Sequence, residues 1–354
     1  MGTLSANLSY GRPDPRLGSA GLYDEMLEIA KCADRLGFHR VWLAQHHGVY
    51  ALQLPSPLIV AAQLSQHVSC RIGTASLVLP YHHPLAVAGE VAAVDQITGG
   101  RLDVGVCRGA YPYEFKRFGV PMAESKAMMM EHVAALELAL TSEVPEPFAG
   151  HYYSYGPTLT FPRPVQQPRP PIWVSAMSQS TIEWAVSQRY SVLLVQFLKP
   201  LEHVLEEVEI FHRKRAELGL SRDEVKLSTL HAMYASEDDG DLRAKAEAMI
   251  RRYRVHSYLK RYDETLTDLP NFVEPAPVPD EATVDEVIER TLVSHPDDIS
   301  ARIQRLFDAG IDDVQLHVAW GLGAEAGMHS MELFSQSVMP KLVSPAAGDV
   351  AARV

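Results

Sequence analysis

Cysteine is scarce, basic charge is in deficit, and long hydrophobic runs are missing. Cys32, Cys70 and Cys107 are odd in number and have neither CxxC nor zinc-ligand spacing, which argues against a disulfide framework or a cysteine-built metal site. No stretch approaches the roughly 20 apolar residues of a membrane span. The opening Met1-Gly2-Thr3-Leu4-Ser5-Ala6 lacks the basic start and apolar run of a signal peptide. A cytoplasmic location with no membrane partner is the expectation. With 32 Lys and Arg against 44 Asp and Glu, the net charge of -12 repels phosphodiester backbones, and no basic cluster with interleaved aromatics offsets it. Nucleic acid is therefore not an expected partner. A single arginine can still hold one small phosphate, because a short charge-assisted hydrogen bond outweighs a screened global field.

What is present is an ordinary globular composition, 47% hydrophobic and 21% charged, over 354 residues. That length suits one α/β barrel or two ordinary domains. Short β-rich runs alternate with helical patterns nearly throughout, as βαβ units around a parallel sheet require. The pattern places strands near 5–10, 40–45, 70–79, 102–107, 171–177, 191–197, 224–235 and 313–320. It predicts a (β/α)8 TIM barrel spanning 1–345 as a single domain, with 346–354 as a flexible C-terminal tail. Leu22, Met26, Ile29, Ala30 and Ala33 share one face of the first helix, which Gly37 stops. Helices over about 55–67 and 83–98 are rich in small apolar residues and start beside prolines. They pack either on this chain's own barrel or in a homodimer interface.

Two segments interrupt the alternation. Phe148-Ala149-Gly150-His151-Tyr152-Tyr153 through Pro168-Arg169-Pro170-Pro171 is aromatic and proline-rich, which predicts a β-hairpin insertion between strands 4 and 5. The stretch 262–285 carries Pro270, Pro275, Pro277 and Pro279 among several acids and predicts a mobile loop after strand 7, over the active face. Pro296-Asp297-Asp298 then opens a helix that Gly310 ends.

Barrel chemistry sits at the C-terminal ends of strands. Strand 2 ends in Gln45-His46-His47, strand 4 in Cys107-Arg108-Gly109, and strand 5 leads to Ser178-Gln179-Ser180-Thr181. Ser178 to Thr181 would begin a helix whose free N–H groups favour an anion, or Ser178 or Ser180 would simply cap it. Arg108 offers two bonds to phosphate oxygens, or a salt bridge to a carboxylate. His46 is suited to proton transfer near neutral pH, or to hydrogen-bonded packing. Adjacent strand residues face opposite sides, so His46-His47 makes a poor chelate and no metal is expected. Cys107 either packs as a small hydrophobe or lines a cofactor face, and His46 with Cys107 alone does not make a cysteine-protease set.

At these residues the chain resembles the luciferase-like flavin monooxygenases over nearly its whole length. The resemblance rests on Gly73-Thr74-Ala75-Ser76-Leu77-Val78-Leu79-Pro80, His83-Pro84, Asp95-Gln96, Gly100-Arg101 and Gly105-Val106-Cys107-Arg108-Gly109. Pro170-Pro171-Ile172-Trp173-Val174-Ser175-Ala176 with Ser178, Thr181, Glu183 and Trp184 adds a second block. It implies that Arg108, Ser178 and Thr181 bind the FMN phosphate and that Ala75-Ser76, through a non-proline cis bond, approaches the isoalloxazine. His46 resembles the family's catalytic histidine, Cys107 the cysteine near flavin C4a, and Tyr111 a nearby aromatic position.

The implied chemistry is monooxygenation with FMNH2 and O2 through a C4a-peroxyflavin. A separate NAD(P)H-dependent flavin reductase would supply FMNH2, and the substrate would be a small apolar organic molecule such as an aldehyde or ketone. A barrel using deazaflavin F420 for hydride transfer and a non-catalytic flavin-binding protein are the alternatives. One departure stands out: Gln45 occupies the place where luciferases often carry an acid. A neutral amide stabilises imidazolium less than a carboxylate does, so a weaker or different proton-transfer role for His46 is the expectation, which argues against light emission.

Overall fold

The structure is a computed structural model, and it describes residues 2–11, 18–49, 51–196, 198–261, 277–279 and 281–342. The chain runs β1 (Thr3–Asn7), α1 (Leu22–Arg35), β2 (Arg40–Leu43), α2 (Pro57–Leu64), β3 (Arg71–Thr74), β4 (Leu77–Val78) and α3 (Pro84–Thr98). It continues through β5 (Leu102–Cys107), α4 (Pro112–Phe118), α5 (Ser125–Thr141), β6 (Glu146–Ala149), β7 (Ser154–Thr158), β8 (Ile172–Ala176), α6 (Gln179–Ser187) and β9 (Ser191–Val195). Then come α7 (Leu201–Glu217), β10 (Leu227–Ala235), α8 (Asp239–Lys260), α9 (Val284–Arg290), β11 (Leu292–Ser294), α10 (Pro296–Asp308), β12 (Asp313–His317) and α11 (Ala324–Ser337).

Parallel pairing passes from β1 through β2, β3, β5, β8, β9, β10 and β12 and returns to β1, where Thr3 meets Asp313. The sheet is therefore a closed eight-stranded barrel with helices outside, the (β/α)8 architecture. Each predicted strand has its counterpart: 102–107 coincides with β5, the first begins earlier at Thr3 and ends at Asn7, and the others are shorter than read. The run read as one strand over 70–79 is divided into β3 and β4 at the cis Ala75–Ser76 bond. The short strand β11 beside the outer half of β10 was not foreseen. β6 and β7 form the expected antiparallel hairpin, and Glu131 of α5 anchors its tip by accepting N–H bonds from His151, Tyr152 and Tyr153 at 2.7 to 2.8 Å. Residues 262–276 and 280 of the stretch read as a loop, and the tail 346–354, lie outside the described residues; within 262–285, Val284 already begins α9.

The predicted apolar face of α1 is buried against the barrel, Leu22, Met26, Ile29, Ala30 and Ala33 together. Inside, the barrel is plugged below its mouth. Arg40 and Arg71 each donate an Nε–H to one Asp103 oxygen at 2.7 Å. Burial alone would raise the Asp103 carboxyl, but the two guanidiniums outweigh it and hold the group below its ordinary value. Above this layer the Trp42 and Trp173 rings meet edge to face at 5.6 Å, with the Arg40 guanidinium 4.7 Å from the Trp42 ring centre. The plug leaves the C-terminal mouth as the end where strand termini converge. Gly105 permits one close approach there: a Cβ at this position would lie 1.9 Å from the Thr74 carbonyl oxygen on β3.

Candidate active site

The polar groups at the mouth fall into two sets. On one side, β5 ends at Cys107 and the chain turns at Gly109, whose φ of 87° lies in the left-handed region. Arg108 is exposed there, and its Nη1 donates to Ser125 Oγ in the first turn of α5 at 3.3 Å. The next residue, Lys126, donates to Ser180 Oγ at 2.8 Å. Ser180 belongs to the first turn of α6, where Ser178 Oγ and Thr181 Oγ1 lie 3.0 Å apart. The start of α5 thus bridges Arg108 to Ser178, Ser180 and Thr181. Ser178 holds the N-cap position of α6, but its side chain makes no capping bond. Among the described residues no carboxylate pairs with Arg108. Both bland alternatives, capping by Ser178 and a salt bridge at Arg108, are therefore unrealised, and two cations with several hydroxyls form a donor set suited to a phosphate monoester.

At the barrel rim between β3 and β8, Ala75–Ser76 is a cis peptide, and Ser76 Oγ lies 2.6 Å from Ser175 Oγ. Cys107 is aligned with Val78 of β4. Burial, with the Glu114 charge adding to it, pushes the Cys107 thiol up to about 12, so it stays protonated at neutral pH and is a poor nucleophile.

The other set gathers around His46. β2 stops at Leu43, so Gln45, His46 and His47 are loop residues rather than alternating strand positions. Glu114 of α4, 1% exposed, places a carboxylate oxygen 3.3 Å from His46 Nδ1 and accepts the His47 backbone N–H at 2.7 Å. A carboxylate therefore stands beside His46 from α4, where position 45 offers only an amide. Gln45 instead ties loops together: its Oε1 accepts the Val78 N–H at 2.7 Å, and its Nε2 faces His47 Nε2 at 2.8 Å and His82 Nε2 at 3.0 Å.

Tyr111 lies against His46, with ring centres 5.1 Å apart, and its hydroxyl bonds His256 Nδ1 of α8. Burial raises the Tyr111 phenol and, aided by Arg252, drives His256 well below its ordinary value. The phenol therefore donates to a neutral imidazole. Sequence reasoning missed Glu114, Lys126 and His256. Each lies on a helix that contacts the mouth from outside the strand-end motifs, and no local spacing marks it.

A family model described as luciferase-like monooxygenase matches residues 7–313. The oxygenase component of the flavin-dependent trigonelline monooxygenase of Acinetobacter baylyi is 29% identical over 337 residues, 90% of this chain and 89% of that protein. The alkanal monooxygenase alpha chain of Photorhabdus luminescens is 26% identical over 345 residues, 93% of this chain and 94% of that one. The crystal structure of the monooxygenase RslO1 from Streptomyces bottropensis superposes with a TM-score of 0.84 at 27% identity, covering 96% of this chain and all of that one. With the family model spanning most of the barrel, the chain belongs to the luciferase-like monooxygenase family and is an oxidoreductase enzyme.

Proposed function

We propose that this single-domain chain is the oxygenase component of a two-component monooxygenase. It takes FMNH2 from a separate NAD(P)H-dependent flavin reductase and uses O2 to oxidise a small organic substrate, an aldehyde or ketone being the first class to try. The observation that carries this reading is that one mouth holds both the cradle of Arg108, Lys126, Ser178 and Thr181 and the His46–Glu114 pair. The cradle fits the FMN phosphate by the chemistry of its donors.

Reduced flavin, when bound, supplies the electrons that activate dioxygen. The rest falls to this chain. Arg108, Lys126, Ser178 and Thr181 hold the phosphate, while Ala75, Ser76 and Cys107 line the ring. His46 donates Nδ1–H to Glu114, which leaves Nε2 to accept or return a proton at the reacting centre. Tyr111, held by His256, closes the pocket beside it and excludes water. A homodimer through α2 and α3 belongs to the same proposal, since Ile59 and Ile97 on these helices stand 71% and 49% exposed.

The test is anaerobic titration with FMNH2, an oxygen pulse and rapid absorbance recording, on the wild type and on His46→Ala. A long-lived oxygenated flavin species in the wild type, with turnover lost and flavin binding retained in the variant, supports the reading. Binding of F420H2 in place of FMNH2 overturns it in favour of hydride transfer, and flavin binding without an oxygen-dependent species leaves a carrier.

A further inference from the structure

The last barrel strand ends in a histidine that nothing above employs. Along β12, Asp313 accepts from Ser228 at 2.8 Å, and Gln315 bonds Asn7 and Ser228 at 3.0 Å, all within the barrel. By the alternation of a strand, His317 faces inward one layer higher, at the mouth. In the ring of strands β1, β2 and β3 separate β12 from β5 on one side, and β10, β9 and β8 on the other. His317 therefore stands across the mouth from Cys107 and from the phosphate cradle.

Its environment is unusual. The side chain is 4% exposed, and neither ring nitrogen meets a hydrogen-bond partner. Burial, with Arg252 adding to it, lowers its pKa to about 3, so the ring is neutral and offers one donor and one acceptor. A buried donor and acceptor without partners are costly, and such groups in native proteins call for an explanation. At the catalytic end of a barrel, a ligand that completes them is one. The neighbours are rings: Trp320 at 5.4 Å from His317, His256 at 5.7 Å from Trp320, and Tyr111 at 5.8 Å from His256. A row of ring faces and edges favours a flat unsaturated molecule over an alkyl chain.

We propose that His317 is a substrate-recognition residue that hydrogen-bonds an oxygen substituent on an aromatic ring. This rests on the assignment of the mouth as the site of oxygenation and narrows the substrate from small carbonyl compounds at large to ring compounds bearing a hydroxyl or carbonyl. A site built to bond an oxygen rejects the analogue that lacks it.

The experiment is equilibrium binding of phenol and toluene to the FMN-loaded protein, by calorimetry, for the wild type, His317→Phe and His317→Gln. The wild type should prefer phenol by about tenfold or more. His317→Phe should bring the ratio near one with FMN affinity unchanged, and His317→Gln, which keeps a donor and an acceptor, should restore part of it. Equal affinities in the wild type, or a ratio that survives in His317→Phe, overturn the proposal. A parallel loss of FMN affinity overturns it too, by assigning His317 to the cofactor. If the wild type binds no FMN, the flavin reading fails separately, and the phenol-to-toluene ratio on the FMN-free chain still decides the role of His317.

Discussion

The carboxylate of Glu114 lies 3.3 Å from His46 Nδ1 and accepts the His47 backbone N–H at 2.7 Å. One buried group thus fixes both the loop and the ring orientation. Glu114→Gln keeps a hydrogen-bonding side chain and removes the charge. Steady-state kinetics should show kcat reduced about a hundredfold, with reduced-flavin affinity unchanged. A kcat within twofold of wild type would remove His46 and Glu114 from proton transfer.

The cradle predicts a phosphate-specific defect. A hydrogen bond between charged groups contributes about 1.5–3 kcal/mol, so Arg108→Ala should weaken FMNH2 binding by roughly ten- to a hundredfold. Lys126→Ala should act in the same direction, and Arg108→Lys should not restore full affinity, because an ammonium lacks the planar fork. Riboflavin, which has no phosphate, serves as the control: its affinity should be the same in all variants. Equal losses for FMN and riboflavin would show that these residues support the fold or the ring instead.

Cys107 should be inert. With its thiol pushed up to about 12 from an ordinary 9.0, the thiolate fraction at pH 8 falls about a thousandfold below that of a free cysteine. Iodoacetamide labelling followed by peptide mass analysis should leave Cys107 unmodified at pH 8 under conditions that modify a free thiol. Cys107→Ser should retain flavin binding. Rapid labelling at neutral pH would place a thiolate at this position.

Acid should unfold the protein partly through its histidines. Burial lowers His132 and His317 to about 3 and His231 to about 4, against an ordinary 6.5. Between those values the unfolded chain binds more protons than the folded one, so stability is full above about pH 6.5 and falls as pH drops toward 4. Each group contributes a slope of about 1.4 kcal/mol per pH unit. His132, fully buried with both ring nitrogens unpartnered beside Tyr153, isolates the effect. His132→Phe should flatten the dependence of urea stability on pH between 6.5 and 5 by about that slope. Parallel wild-type and variant curves would show that His132 does not titrate with unfolding.

Local pattern determined the eight barrel strands and the hairpin insertion, but not β11 or the division of β3 from β4. Alternating β-rich and helical runs, prolines at Pro57, Pro84 and Pro296, and glycines at Gly37 and Gly310 are read within a few residues of where they act. That Ala75, Ser76, Cys107, Arg108, Ser178 and Thr181 lie at or just beyond strand ends was legible for the same reason, because a strand end is a local event; their cofactor roles came from the family resemblance and belong to the proposal. Which groups meet was decided only by closure of the barrel. Glu114 reaches His46 across 68 residues, Lys126 reaches Ser180 across 54, and Tyr111 reaches His256 across 145. Periodicity has a reach of a few residues, whereas these pairings depend on how α4, α5 and α8 pack against the mouth. The carboxylate absent at Gln45 was therefore invisible in sequence at its true position, and the unpartnered ring of His317 emerged only once its surroundings were folded around it.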